Sequence, residues 1–345
     1  MTKTLRWLLI GLLLTLGTAG YAAWRVLYRP NVVAFPEGDA YLYVRTGSGF
    51  GAVRNSLARQ GLLHEMSTFT WLARWRNYPA RVRPGRYRLS PALSNLALLR
   101  RLESGRQDTV QFELKPFHYL ENLPRQVGKQ LETDSFKLSL LLNNNAGLRA
   151  HFGLDTCTVR TLFVPGHYRL LWNTSAPAFL DTMAAAHGRF WTAPRRARAD
   201  SLGLTSVQVS VLASIVQRET AQPTDKPLVA AVYLNRLRRG QPLQADPTLL
   251  WPLHGLSTRK RVLNVDKKVA SPYNTYRHKG LPPGPITTPR PSSLDAVLRP
   301  AHNDNLFFCA RPDGSGFSDF AATYAAHKRN ARRYQHRLDS LGVKR

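Results

Sequence analysis

The sequence predicts an α+β protein built as a single amino-terminal transmembrane helix, a small α+β module and a larger mixed α+β domain. Three observations carry that expectation. An uncharged apolar run fills Trp7–Trp24, strand-like stretches at Tyr41–Val44 and Gly85–Leu89 bracket short amphipathic segments, and a capping-box pattern opens an apolar helix at Thr205. The 345 residues suit about two domains with extras, and 43% hydrophobic against 20% charged residues excludes wholesale disorder. Two cysteines exclude a disulfide framework or a cysteine-rich zinc site. The balance of 49 Lys+Arg against 21 Asp+Glu, net +28, points to nucleic acid, an anionic membrane face or another polyanion.

The first element is the apolar run. Eighteen helical residues rise about 27 Å, close to the roughly 30 Å hydrocarbon core. Lys3 and Arg6 precede it, Arg25 and Arg29 follow, and Trp7, Trp24 and Tyr28 stand where interfacial aromatics belong. The run exceeds the roughly 7–15 apolar residues of a signal core, which favours a retained anchor over a cleaved signal. The expected layout is a cytoplasmic head at 1–6, an inner-membrane single span at 7–24, a tether at 25–38 and an extracytoplasmic body. Cys157 and Cys309 then read as two separate small core residues in an oxidising compartment, Cys309 following the strand-like Leu306–Phe308.

The small module is expected over 39–115. After the strand at Tyr41–Val44, Ser48 is placed to cap a helix carrying Phe50, Val53 and Leu57, and Ser67 to open a second with Phe69, Trp71, Leu72 and Trp75. A strand at Gly85–Leu89 follows, then a helix from the Ser94 cap to a glycine stop at Gly105, then a strand at Thr109–Leu114. The order resembles a LysM-like glycan-binding module; a domain that only spaces the next one from the membrane fits equally. The larger domain is expected over 116–345. It is helix-prone to Asp200, with a turn at Asn143–Asn145, a packed aromatic-proline turn at Phe163–Tyr168, and a basic cluster at Arg195–Arg198 suited to a solvated helix face.

Thr205 and Gln208 open the helix that matters most. Leu212, Ile215, Val216 and Glu219 fall at i, i+3, i+4 and i+7, so the carboxyl ends an apolar stripe while Arg218 faces away. A carboxyl desolvated in this way has its pKa raised and can act as a general acid. A structural Glu paired with an arginine or a backbone amide also fits the helix taken alone. A second helix, Asp225–Arg239, turns Val229, Val232, Tyr233 and Leu237 inward. Three loops follow at Leu243–Thr248, Ser271–Tyr276 and Gly280–Ile286; they combine prolines with amides, hydroxyls and aromatic faces, the mixture that sugars need.

These segments resemble the MltG/YceG-like family of endolytic murein transglycosylases. The resemblance rests on Ala213–Thr220, Val232–Leu237, Leu243–Thr248, Tyr273–Tyr276 and Gly280–Ile286 in this order, extended by Ser293–Ala296 and His327–Asn330, and it is strongest over 205–290. It implies Glu219 as the catalytic acid, and Asn235, Gln244, Asp246, Tyr273, Asn274, Thr275 and Tyr276 as substrate-binding residues. Gln217 stands where many members carry a second Glu, and Gly166-His167 replaces an acidic-Thr pair, so no role passes to that turn. The implied reaction cleaves the β-1,4 bond between N-acetylmuramic acid and N-acetylglucosamine, with neither metal nor organic cofactor. The implied partners are peptidoglycan glycan strands, the inner membrane and peptidoglycan synthases, with no specific nucleic acid. A water-using muramidase pairing Glu219 with Asp246 and a non-catalytic glycan-binding scaffold are the alternatives.

Overall fold

The computed structural model describes residues 3–35, 40–251 and 264–340. The chain divides into two compact units. The first takes Met1–Phe112 with Gln130–Thr133 and Tyr168–Ser175; the second takes Glu113–Lys129, Asp134–His167 and Ala176–Arg345. The architecture is mixed α+β, with three separate two-stranded sheets rather than one continuous one.

In the first unit, helix α1 runs unbroken over Lys3–Tyr28. It is long and apolar enough to cross a bilayer, and its leucines from Leu5 to Leu16 stand exposed, while Leu27 packs against the core of the unit. Strand β1 (Ala40–Val44) and strand β2 (Gly85–Leu89) pair antiparallel, Leu42 opposite Tyr87, with helices α2 (Phe50–Arg59) and α3 (Met66–Trp75) between them in sequence. Helix α4 (Asn95–Ser104) follows, then strand β3 (Thr109–Leu114). Leu42, Val53, Leu57, Phe69, Leu72, Tyr87, Leu99 and Leu102 form the core of this unit. The Ser94 hydroxyl accepts from the Ala97 amide, and Gly105 ends α4 at φ +67°, where a side chain would be strained.

Two helix starts differ from the sequence reading. Gly49, not Ser48, is the N-cap of α2, its backbone extended at φ −85° and ψ 175° and with no side chain to accept from the first turn. Helix α3 starts after Glu65, not at Ser67, because the buried Asn31 amide holds Glu65 through both its N–H and its C=O. The same Asn31 shows why the expected tether is no free strand. Helix α1 extends to Tyr28, Asn31 and Val32 both bond the Leu93 carbonyl, and Asn31 Nδ2 reaches Asn95 Oδ1 at 2.6 Å. Pro36–Gly38 of that stretch lie outside the described residues.

In the second unit, α5 (Asn122–Gly128), α6 (Ser135–Asn143) and α7 (Asn145–Phe152) come first; at the turn expected over Asn143–Asn145, Asn144 caps α7. Phe163, Val164 and Pro165 are buried, and strand β4 (Gly166–Leu171), which returns to the first unit from Tyr168, pairs with β3. Helices α8 (Ala176–Phe190) and α9 (Ala193–Ser201) lead into α10 (Ser206–Glu219) and α11 (Lys226–Arg238). After the short α12 (Asp246–Leu250) come α13 (Pro291–Leu298), the antiparallel pair β5 (Phe307–Ala310) and β6 (Ser318–Ala321), and α14 (Tyr324–Ser340). Leu212, Ile215 and Val216 of α10 pack with Val229 and Tyr233 of α11 and Leu294 and Val297 of α13. Arg195 of the basic cluster is tied to Asp295 and lies over the Phe190 ring instead of facing solvent freely. The cysteines are not core residues: Cys157 is exposed, Cys309 half-buried, and both are free thiols.

Candidate active site

Helix α10 begins with both halves of its capping box made, Thr205 Oγ1 accepting from Gln208 N and Gln208 Oε1 from Thr205 N. Its far end is fixed by Gln217. That side chain donates to the Thr288 carbonyl and accepts from Arg290 N at 2.6 Å and from Ser293 Oγ. Glu219, the last residue of the helix, is thereby presented at the floor of a cleft of about 310 Å3. The apolar stripe explains its direction: Leu212, Ile215 and Val216 are fully buried, and the carboxyl emerges where the stripe meets the cleft.

Tyr233, almost wholly buried on α11, donates its hydroxyl to Glu219 Oε1 at 2.5 Å. Burial is the largest influence on this carboxyl and pushes its pKa from 4.5 up to about 7; the Tyr233 hydrogen bond pulls down, and the charge of Asp246 adds to the rise. Asp246, first residue of α12, accepts from the Tyr276 hydroxyl at 2.5 Å. Burial and the Asp246 bond push the Tyr276 phenol up, so it stays a donor. Gln244 sits on the rim with a strained φ of +53°, its Oε1 accepting from Arg236 Nη1. Arg236 also bonds the carbonyls of Leu306, Pro242 and Leu243, pinning the cleft's two sides to α11.

Four residues of the opposite wall were not in the expected set. Phe307, Phe308, Tyr324 and His327 line the cleft from β5 and the start of α14. The His327 ring stacks on Phe307 at 5.2 Å, and burial with the nearby Arg236 charge lowers its pKa, so the imidazole is neutral near pH 7. Its Nδ1 is buried without a hydrogen-bond partner.

Of the expected binding residues, Gln244, Asp246 and Tyr276 line the cleft. The others do not, and their hydrogen bonds explain why. Asn235 spends its amide on the carbonyls of Asn303 and Asn305. Asn274, fully buried, donates to Lys267 and Val269 carbonyls and accepts from Tyr276 N. Thr275 Oγ1 accepts from Ala245 N and meets Thr248 Oγ1 at 2.8 Å. Tyr273 turns away to pack against Trp251, with burial raising its phenol and Arg160 opposing. These four hold the loops that aim Asp246 and Tyr276.

Fold and cleft together define a mixed α+β protein that keeps one carboxylic acid near neutrality in a polar groove, the equipment of general acid–base chemistry. The chain belongs to the YceG-like family, whose model matches residues 42–333. An endolytic murein transglycosylase of Streptococcus pneumoniae serotype 2 (strain D39 / NCTC 7466) is 26% identical over 294 residues, covering 76% of this chain and 53% of that protein. An endolytic murein transglycosylase of Bacillus subtilis (strain 168) is 37% identical over 123 residues, 36% of this chain and 33% of that one. The chain thus spans about half the length of the streptococcal relative. A crystal structure of a YceG-like protein from Listeria monocytogenes shares the fold at a TM-score of 0.55 and 22% identity, covering 85% of this chain and 99% of the other.

Proposed function

We propose that the protein is a membrane-anchored endolytic peptidoglycan transglycosylase, cutting the bond between N-acetylmuramic acid and N-acetylglucosamine within glycan strands, with Glu219 as its one acid and base. The observation that carries the reading is the Glu219 carboxyl on the cleft floor with its pKa pushed up to about 7. The names of the streptococcal and Bacillus relatives agree with it. Because Tyr233 donates to Oε1, the acid proton belongs on Oε2. Glu219 gives that proton to the bridging oxygen as the C1–O bond breaks and positive charge develops on the muramyl ring. The carboxylate then takes the proton of the muramyl 6-hydroxyl, whose oxygen closes onto C1 as a 1,6-anhydro ring. The acid is restored and no water is consumed. One carboxyl suffices because the nucleophile is tethered to the substrate, with the high effective concentration that brings.

In this reading Gln244, Asp246 and Tyr276 contact sugar hydroxyls or N-acetyl groups, the Phe307–Tyr324 wall offers ring faces, and Asn235, Tyr273, Asn274 and Thr275 are positioning residues. Helix α1 serves as the retained anchor, and the strand–helix–helix–strand order of the first unit supports a LysM-like reading of that module.

The test is mass analysis of products from isolated sacculi. Wild type is expected to release anhydro-muramyl ends, and Glu219→Gln to lose at least about a hundredfold in rate, the scale of general acid–base catalysis. Release of reducing muramyl ends alone would make the protein a muramidase using water, with Asp246 as second carboxylate. Unchanged glycan length would leave a binding scaffold.

A further inference from the structure

Helix α3 buries Phe69, Leu72 and Ala73 and leaves Trp71 and Trp75 in the open, 58% and 69% exposed. Their rings lie 6.2 Å apart with planes within 3°, and Arg54, Met66, Thr70 and Arg74 complete an open trough around them. Two adjacent indoles on a water-facing surface mark an interaction site.

We propose that this face of α3 docks on the anionic headgroup layer of the bilayer that α1 spans. The proposal rests on reading α1 as a retained span. Its first support is position. Glu65, the N-cap of α3, bonds Arg25 of the last turn of α1 at 2.8 Å and has Arg29 at 3.9 Å. Asn95 Nδ2 donates to the Val26 carbonyl and to Thr68 Oγ1 of α3, so the end of the span and the start of α3 are clamped together. Trp24 and Tyr28 mark that end as the membrane–water interface. Laid along the surface from that clamp, α3 sets Trp71 about 9 Å and Trp75 about 15 Å from Glu65, both beside the headgroup layer.

Its second support is chemistry. An indole has an apolar body and one N–H, and it settles where hydrocarbon meets headgroups. Arg54 and Arg74, which line the same trough, match lipid phosphates. A neutral sugar ring could stack on the same indoles but needs neither the arginines nor the clamp to α1.

The experiment places the full chain, carrying Trp7→Phe and Trp24→Phe, in nanodiscs containing phosphatidylglycerol and 6,7-dibrominated phosphatidylcholine. Tryptophan emission is expected to be quenched, and adding Trp71→Phe with Trp75→Phe should lower the quenching at least threefold. Arg54→Glu with Arg74→Glu should lower it in anionic but not in purely zwitterionic discs. Quenching unmoved by the Trp71/Trp75 change overturns the docking, as does an emission shift of those residues with N-acetylglucosamine oligomers but not with brominated lipid. Flotation of the carbonate-washed chain with liposomes is the separate check on the span: a chain that stays behind overturns the anchor and the docking together, and one that floats while quenching is unmoved overturns the docking alone.

Discussion

At Glu219 the neighbours pull in opposite directions. Burial and the Asp246 charge favour the protonated acid, while Tyr233 favours the carboxylate. Tyr233→Phe keeps the shape of a buried ring and removes only the stabilising donor. The alkaline limb of the pH–rate profile should therefore move to higher pH than wild type, where it is expected near the carboxyl's value of about 7. The same group sets a stability prediction with a definite sign. A carboxyl whose folded pKa is raised from 4.5 to about 7 contributes full stability below pH 4.5 and loses it as pH rises through 7. Glu219→Gln has no such loss, so it should exceed wild type by about 3 kcal/mol above pH 8, and the two should converge below pH 4.5, as read by denaturant melts.

Between α10 and the segment leading into α13, Gln217 acts as a bracket with donor and acceptor both used. Gln217→Ala leaves the buried Thr288 carbonyl and the Arg290 amide without partners and should cost about 2 kcal/mol in unfolding free energy. Gln217→Glu keeps the acceptor for Arg290 and Ser293, so it should recover part of that loss. The elements themselves were largely readable: the Thr205 capping box, the Ser94 cap with its Gly105 stop, and β2 at Gly85–Leu89 follow from local rules acting over a few residues. The cleft was readable only on its α10–α12 side. Phe307 and His327 lie some 90–110 residues beyond Glu219, and nothing in their own segments marks which face turns inward. Asn235, Asn274 and Thr275 fall outside the cleft lining for a related reason, since an amide that binds sugar and one that binds a loop carbonyl look alike until the loop is folded.

Across the whole molecule the charge of +28 is spread over helix faces in every segment and not gathered into one block. Such a surface suits proximity to anionic lipids and a carboxylate-bearing polymer more than any single phosphate site. Association with isolated sacculi should therefore weaken several-fold between about 0.05 and 0.5 M salt, and equally for wild type and Glu219→Gln, as measured by co-sedimentation. The Asn31–Asn95 clamp has a mechanical consequence. The apolar run Trp7–Trp24 rises about 27 Å, close to the roughly 30 Å of hydrocarbon, and helix α1 continues past it unbroken to Tyr28. With Val26 and Arg25 fastened to α4 and the start of α3, the span is a handle and not a leash. Where α1 crosses a bilayer, any tilt of the helix is therefore passed on to the strand–helix unit.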